Sequence, residues 1–203
     1  MRHLRRLVAP TLVLLFVLGV SAGAAADVQI LRSDDAAYVT DLEGQGLANG
    51  RLPDEALVEV DGSQSLCLLE ADAASRWLQL VADAAADGVQ IEAAWCYRSL
   101  ASQRQTYIRN CGSLHAPPSA CNKATATPGR SNHGWGRAID VTSNGRQVNC
   151  RSEAFRWLTE HGAEHGWVLP FWAVCGGDTP EPWHWEWGGI DEPPVFPVGM
   201  RPV

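Results

Sequence analysis

The apolar positions change period several times along the chain, and each change marks an element. Leu7 to Val20 is a nearly unbroken apolar run. Short strand-like pieces follow at Val28-Gln29-Ile30-Leu31 and Leu57-Val58-Glu59-Val60, separated by Gly, Asp and Pro. From Glu70 to Ala86 the spacing becomes helical, with Ala73, Trp77, Leu80, Val81 and Ala84 three and four residues apart and Asp87-Gly88 as the stop. Val89 to Tyr97 reads as a strand that empties into Arg98-Ser99, followed by a polar helix through Gln103, Gln105 and Tyr107 to Asn110. A third helix is expected from about Ser152, its N-cap, to His165, with Phe155, Trp157 and Leu158 giving it an apolar side. Trp167 to Trp172 reads as a strand and Gly176 to Pro180 as a turn. No internal repeat or low-complexity linker divides the chain.

Two stretches carry chemistry. In Ser131-Asn132-His133-Gly134-Trp135-Gly136-Arg137-Ala138-Ile139-Asp140-Val141-Thr142 the second half alternates, so Ala138, Asp140 and Thr142 share one side of a strand. Gly134 and Gly136 suit a turn that brings His133 back over that strand. In Glu181-Pro182-Trp183-His184-Trp185-Glu186-Trp187 the tryptophans take one face and His184 and Glu186 the other. Tryptophan stripes are most often core, and at least two of these three are expected there. His133, Asp140 and His184 then form a two-histidine, one-carboxylate set, which leaves zinc a position for water. A nearby carboxylate can take that water's proton. Glu181 is the candidate, and Glu186 competes for the role. Arg98, between a strand end and a helix start, is placed to line the cleft, although an arginine paired with a surface acid has the same local sequence. His161 and His165 lie four apart, but their helix is about to end at Gly166, so solvated histidines are the expectation. His115, in a proline-containing loop, is read as exposed.

Residues 1–26 read as a signal peptide: Arg2, His3, Arg5 and Arg6, then the apolar run, then Ala24-Ala25-Ala26. The run is interrupted by Pro10 and is short against the roughly 20 residues needed to span a bilayer. Removing this leader takes three arginines and no acids from a chain of net charge −7, leaving −10. So acidic a chain is not expected to bind nucleic acid. No other apolar run is long enough to span a membrane. All six cysteines follow the leader, which in an exported protein reads as disulfides. Of the fifteen pairings, Cys67–Cys96, Cys111–Cys121 and Cys150–Cys175 are preferred, since each joins neighbouring segments. Zinc-binding cysteines are disfavoured because no C-x2-C pair is present.

Ser131-x-His133-x-x-Gly136-x-Ala138-x-Asp140 followed by Glu181-x-x-His184, with Tyr97-Arg98-Ser99 and Gln103 upstream, resembles the VanY-type D-alanyl-D-alanine carboxypeptidase family of zinc peptidases. The resemblance spans roughly residues 70–190. It implies an α+β fold in which a small antiparallel sheet with flanking helices holds a single zinc (Zn2+). It also implies cleavage of peptide bonds at D-amino acids in peptidoglycan. Carried onto this chain, His133, Asp140 and His184 would bind zinc and Glu181 would be the general base. Arg98 would hold the substrate carboxylate or the developing oxyanion, with Ser131 and Gln103 as further substrate contacts.

The resulting expectation is a signal peptide (1–26), an N-terminal arm (27–66) with no chemistry of its own, and a catalytic domain (67–203) ending in a proline-rich segment that wraps over the surface. The protein would be a secreted monomer, a zinc-dependent carboxypeptidase acting on stem peptides that end in D-amino acids. A zinc endopeptidase of peptidoglycan cross-links, or a non-catalytic, zinc-stabilised wall-binding module, are the alternatives.

Overall fold

The computed structural model describes residues 30–31, 40–60 and 66–188. The leader, Val28-Gln29 and the segment from Asp191 onward lie outside the described residues. In chain order the elements are β1 (Ile30–Leu31), α1 (Thr40–Gly44), β2 (Leu57–Val60), β3 (Cys67–Glu70), α2 (Ala71–Ala86), β4 (Glu92–Trp95), α3 (Leu100–Cys111), β5 (Ala138–Ser143), β6 (Arg146–Gln147), α4 (Glu153–His161), β7 (Trp167–Pro170) and β8 (His184–Trp187). The main sheet runs β1-β7-β8-β5-β4, with β6 pairing the end of β5; β2 and β3 form a separate hairpin. Every pair is antiparallel except β1 with β7 at the edge. This is the expected α+β architecture.

The two long apolar patterns fold as their periodicity dictates. Glu70 caps α2 by accepting from the amide of Ala73, and Ala73, Ala74, Trp77, Leu80 and Ala84 form the buried stripe. Ser152 caps α4 by accepting from the amide of Phe155 at 3.2 Å. Both helices supply the core on one face of the sheet. Trp77 meets Trp167 edge-to-face at 5.6 Å and Phe155 leans on Trp185 at 6.3 Å. A buried tryptophan removes roughly 150–250 Å² from water, on the order of 4–6 kcal/mol. Trp185 and Trp187 therefore serve the core, and Trp183 packs against its margin. The opposite face of β5 and β8 is left to polar side chains.

Four expectations are corrected. The strand read over Val89 to Tyr97 covers only Glu92–Trp95, and its register against β5 shifts between Ala93 and Trp95. The helix read to His165 ends at His161 and finishes as a 3-10 turn, Gly162–His165. There the missing side chain of Gly162 lets the backbone sit on Trp167 and Trp185; a Cβ would lie 2.7 Å from the Trp167 carbonyl. That turn folds His165 inward, so it is buried rather than solvated, with Nε2 3.1 Å from Asp83. The strand read through Trp172 ends at Pro170, and Phe171–Ala173 form a 3-10 turn. His115 is exposed, as expected.

The described part of the arm packs on the rest of the chain. Leu42, Leu52 and Trp135 make a second small cluster, with Leu47, Leu57 and Tyr97 packed on it. The cysteines pair as preferred: Cys67–Cys96 ties β3 to the end of β4, Cys111–Cys121 closes the loop after α3, and Cys150–Cys175 joins the approach to α4 to the segment after β7.

Candidate metal centre

Register places the first two site residues. Asp140 on β5 is the direct cross-strand partner of His184 on β8. Cross-strand partners share a face with Cβ atoms about 5 Å apart, so the two side chains stand together on the face opposite the tryptophan core. His184 Nδ1 is 3.1 Å from Asp140 Oδ1. The adjacent pair, Ala138 with Glu186, puts a methyl group beside a second carboxylate. Val141 donates its amide to the Trp183 carbonyl at 2.8 Å, so the segment entering β8 is pinned to β5 as well.

His133 arrives on a 3-10 turn, Asn132–Trp135. The turn exits through Gly136 at φ +66°, where a Cβ would also lie 2.7 Å from the Glu70 amide, so only glycine fits. Gly134 has a different reason: any side chain there would overlap the side chain of Asn49. That asparagine donates to the Ser131 carbonyl at 2.8 Å, and the Gly50 amide donates to the Gly134 carbonyl at 2.7 Å. On the other side, the Arg98 amide donates to the His133 carbonyl at 2.9 Å. The turn is thus held between the arm and the linker from β4 to α3.

These supports bring His133 Nε2 to 3.6 Å from Asp140 Oδ1, with the two imidazole centroids 5.0 Å apart. One donor atom from each of His133, Asp140 and His184 lies within 4.8 Å of the others, and among the described residues this is the one such group able to hold a metal. Tetrahedral zinc with bonds of about 2.0–2.1 Å needs neighbouring donors roughly 3.3 Å apart, a value bracketed by the 3.1 and 3.6 Å separations. The remaining imidazole nitrogens are also occupied. His133 Nδ1 donates to the Cys96 carbonyl at 2.8 Å and His184 Nε2 donates to Glu186 at 2.9 Å. A histidine whose outer N–H is taken by a carbonyl or carboxylate presents its other nitrogen as a lone pair, as metal ligation requires. The residues present fit zinc.

The charges fit as well. For Asp140, burial alone would raise the carboxyl, but His133 and the hydrogen bonds from both histidines hold it well below the usual carboxylate range. For His184, burial opposes the charge, yet hydrogen bonds to Asp140 and Glu186 outweigh it and push the imidazole up to about 10 without a metal. Burial pushes His133 down. Glu186 is held low by His184 in spite of its burial, and it also accepts from the Asn132 side chain. A divalent cation would meet two ionised carboxylates here.

Around the three donors stand the other expected residues. Glu181 is fixed through its backbone, its amide on the Ala173 carbonyl at 3.0 Å and its carbonyl accepting from the His184 amide at 2.9 Å. Its carboxyl is pushed up by partial burial and feels His184, Asp140 and Arg98. Arg98 is largely enclosed, which lowers its pKa, with Asp140 and Glu181 opposing that trend. Its Nη1 donates to Gln103 Oε1 at 3.0 Å, and Gln103 donates from Nε2 to the Ala126 carbonyl at 2.6 Å. Gln103 is thus buried with both ends of its amide engaged, behind Arg98. Ser131 is buried at the start of the ligand turn. The alternation in the sequence had already put Glu186 beside His184, a sufficient signal for their pairing, but Asn132, Asn49 and the Cys96 carbonyl were missed.

The VanY family model, D-alanyl-D-alanine carboxypeptidase, matches residues 67–190. A D-alanyl-D-alanine carboxypeptidase of Enterococcus faecalis is 33% identical over 118 residues, covering 53% of this chain and 44% of that protein. The chain therefore aligns with less than half of that relative's length. Among solved structures, a VanY D,D-pentapeptidase mutant from a VanB-type vancomycin resistance cassette, in complex with Zn(II), has a TM-score of 0.52 at 25% identity, covering 72% of this chain and 89% of its own. VanYB in complex with D-alanine-D-alanine gives 0.51 at 27%, covering 71% and 86%. The LdcB LD-carboxypeptidase shares the fold, at 0.57 and 23% identity over 70% and 75% of the two chains. With the family pattern matched over more than half its length, the chain belongs to the VanY family of D-alanyl-D-alanine carboxypeptidases.

Proposed function

We propose that this protein is a secreted, zinc-dependent D-alanyl-D-alanine carboxypeptidase that removes the terminal residue from peptidoglycan stem peptides ending in D-amino acids. The observation that carries the reading is the convergence of His133, Asp140 and His184 on one point, with Glu181 and Arg98 electrostatically coupled to it. His133, Asp140 and His184 hold the metal. Bound zinc supplies a Lewis acid for the scissile carbonyl and lowers the pKa of a water towards about 7.

The rest is work for the chain's own side chains. Glu181 takes the proton of the attacking water and returns it to the departing amine as the C–N bond breaks, leaving the water oxygen on the carbonyl carbon. Partial burial pushes its carboxyl up, the direction that favours taking that proton. Arg98 binds the free carboxylate at the end of the substrate, where a planar guanidinium gives paired hydrogen bonds. Gln103 acts through Arg98, fixing the guanidinium, and Ser131 borders the substrate beside the ligand turn. The three disulfides and the leader-like start support action outside the cytoplasm. No helix of the described residues is long and apolar enough to cross a membrane.

The test is release of D-alanine from a pentapeptide ending in D-Ala-D-Ala by purified, disulfide-intact protein. Zinc-loaded enzyme should release it, chelation should stop it, and Glu181→Gln should stop it with zinc content and fold unchanged. Zinc-loaded protein that leaves this peptide intact would overturn the carboxypeptidase reading, and cleavage of cross-linked muropeptides instead would assign it endopeptidase action.

A further inference from the structure

The geometry points to Glu186 as the positioning residue of the zinc site: a buried carboxylate, tethered by Asn132, that keeps the proton of His184 on Nε2 and so aims Nδ1 at the metal. This rests on the zinc reading above and goes beyond it, because Glu186 is neither a ligand nor the base.

The environment of Glu186 argues for a specific task. It is 4% exposed on a strand in the middle of the sheet, and its cross-strand neighbours are Ala138 on one side and Val168 on the other. Neither can hydrogen-bond a carboxylate through its side chain. Burying an unpaired carboxylate costs several kcal/mol, so a charge at this position persists only if its partners compensate. The named partners are His184 Nε2 at 2.9 Å and the side chain of Asn132. These belong to the two halves of the site. His184 is the ligand on β8, and Asn132 opens the turn whose next residue is His133. One carboxylate therefore orients one ligand directly and ties its strand to the turn that carries another.

The orientation is one-sided. His184 Nδ1 faces Asp140 at 3.1 Å while Nε2 faces Glu186, so the two carboxylates bracket the ring. Only the Nδ1 side is shared with His133, through Asp140 Oδ1. A metal taken by the three-residue group leaves Glu186 on the far side of the imidazole, where it accepts the N–H. Replacing its acceptor-only carboxylate with an amide removes that constraint, because an amide can rotate to donate to Nε2 and favour the wrong tautomer. Outer partners of this kind are worth roughly 10–100-fold in metal affinity.

The experiment is a zinc competition titration against a chromophoric chelator, on wild type, Glu186→Gln and Asn132→Ala, with near-UV circular dichroism to verify the fold. Glu186→Gln is expected to weaken zinc about 10–100-fold and to alter the visible spectrum of the cobalt(II)-substituted site, a signature that a purely structural role would not change. Asn132→Ala should weaken zinc in the same direction by less. If Glu186→Gln fails to fold, Asn132→Ala decides. Wild-type affinity and an unchanged cobalt spectrum in the folded variants would overturn the proposal while leaving the zinc reading intact; wild-type protein that takes up no zinc would overturn both.

Discussion

His133 Nδ1 lies 2.8 Å from the carbonyl oxygen of Cys96, and Cys96 is bonded through its sulfur to Cys67. A covalent staple between β3 and the end of β4 therefore ends on the residue that orients a proposed metal ligand. The bridge spans 29 residues, a loop whose closure is worth about 3–4 kcal/mol in the unfolded-chain account. The double variant Cys67→Ala/Cys96→Ala should lose stability of that order and also bind zinc more weakly, because the peptide unit that carries the Cys96 carbonyl is then tied to β3 only through the Tyr97 amide, which donates to the Leu68 carbonyl at 2.8 Å. Thermal melts and zinc competition on the same sample check both parts. Unchanged zinc affinity with lowered stability would show that the backbone hydrogen bond from Tyr97 to Leu68 suffices to fix that carbonyl.

Arg98 is held by Gln103 rather than by an acid. A hydrogen bond to a charged group contributes roughly 1.5–3 kcal/mol, so Gln103→Ala should cut kcat/KM for a D-Ala-D-Ala peptide by about 10–100-fold. Zinc content should not change, since Gln103 touches none of the three donors. Steady-state kinetics beside metal analysis separates the two; a loss of zinc would mean that Gln103 supports the ligand turn instead.

The site was legible in outline because two of its elements are strands. Alternation alone puts His184 and Glu186 on one face and Asp140 on a face of its own strand, and register does the rest. What could not be read is long-range. Asn49 reaches Ser131 across 82 residues, and nothing in the local pattern around Asn49 announces a partner. The arm was for that reason credited with no chemistry, although it braces the ligand turn. His165 was misread because the end of α4 is set by the contact of Gly162 with Trp167 and Trp185, a tertiary cause. Alternation puts Glu186 on the face of His184, but its tie to Asn132 joins two distant segments and leaves no local trace.

The contact between Asn49 and Gly134 offers a reciprocal test of the arm. Gly134→Ala drives a methyl group into the Asn49 side chain, and overpacking of this kind costs about 1–3 kcal/mol. Asn49→Ala removes the hydrogen bond to Ser131 but opens the space. The double variant should therefore be less destabilised than the sum of the two single changes, with a coupling of roughly 1 kcal/mol or more. Denaturant melts of the four proteins measure it; strict additivity would show that the arm does not press on the ligand turn.

Removing the metal should expose a pH dependence that zinc hides. In metal-free protein His184 is pushed up to about 10 by hydrogen bonds to Asp140 and Glu186. Its folded pKa exceeds the unfolded value of about 6.5. Its contribution is therefore complete below that value and is lost as pH climbs towards 10. Asp140 and Glu186 shift the other way, so their contributions hold above about pH 4 and are lost on acidification. His133, lowered by burial, resists protonation and adds to the loss as pH falls below about 6.5. Chelated protein should thus melt highest near pH 6–7 and lose stability on both sides. Zinc held as proposed would replace the proton on His184 Nδ1, so the alkaline decline should disappear from the zinc-loaded protein. Melting curves of both forms from pH 4 to 10 decide the matter: an alkaline decline of equal size in each would mean that the His184 proton does not stabilise the metal-free fold.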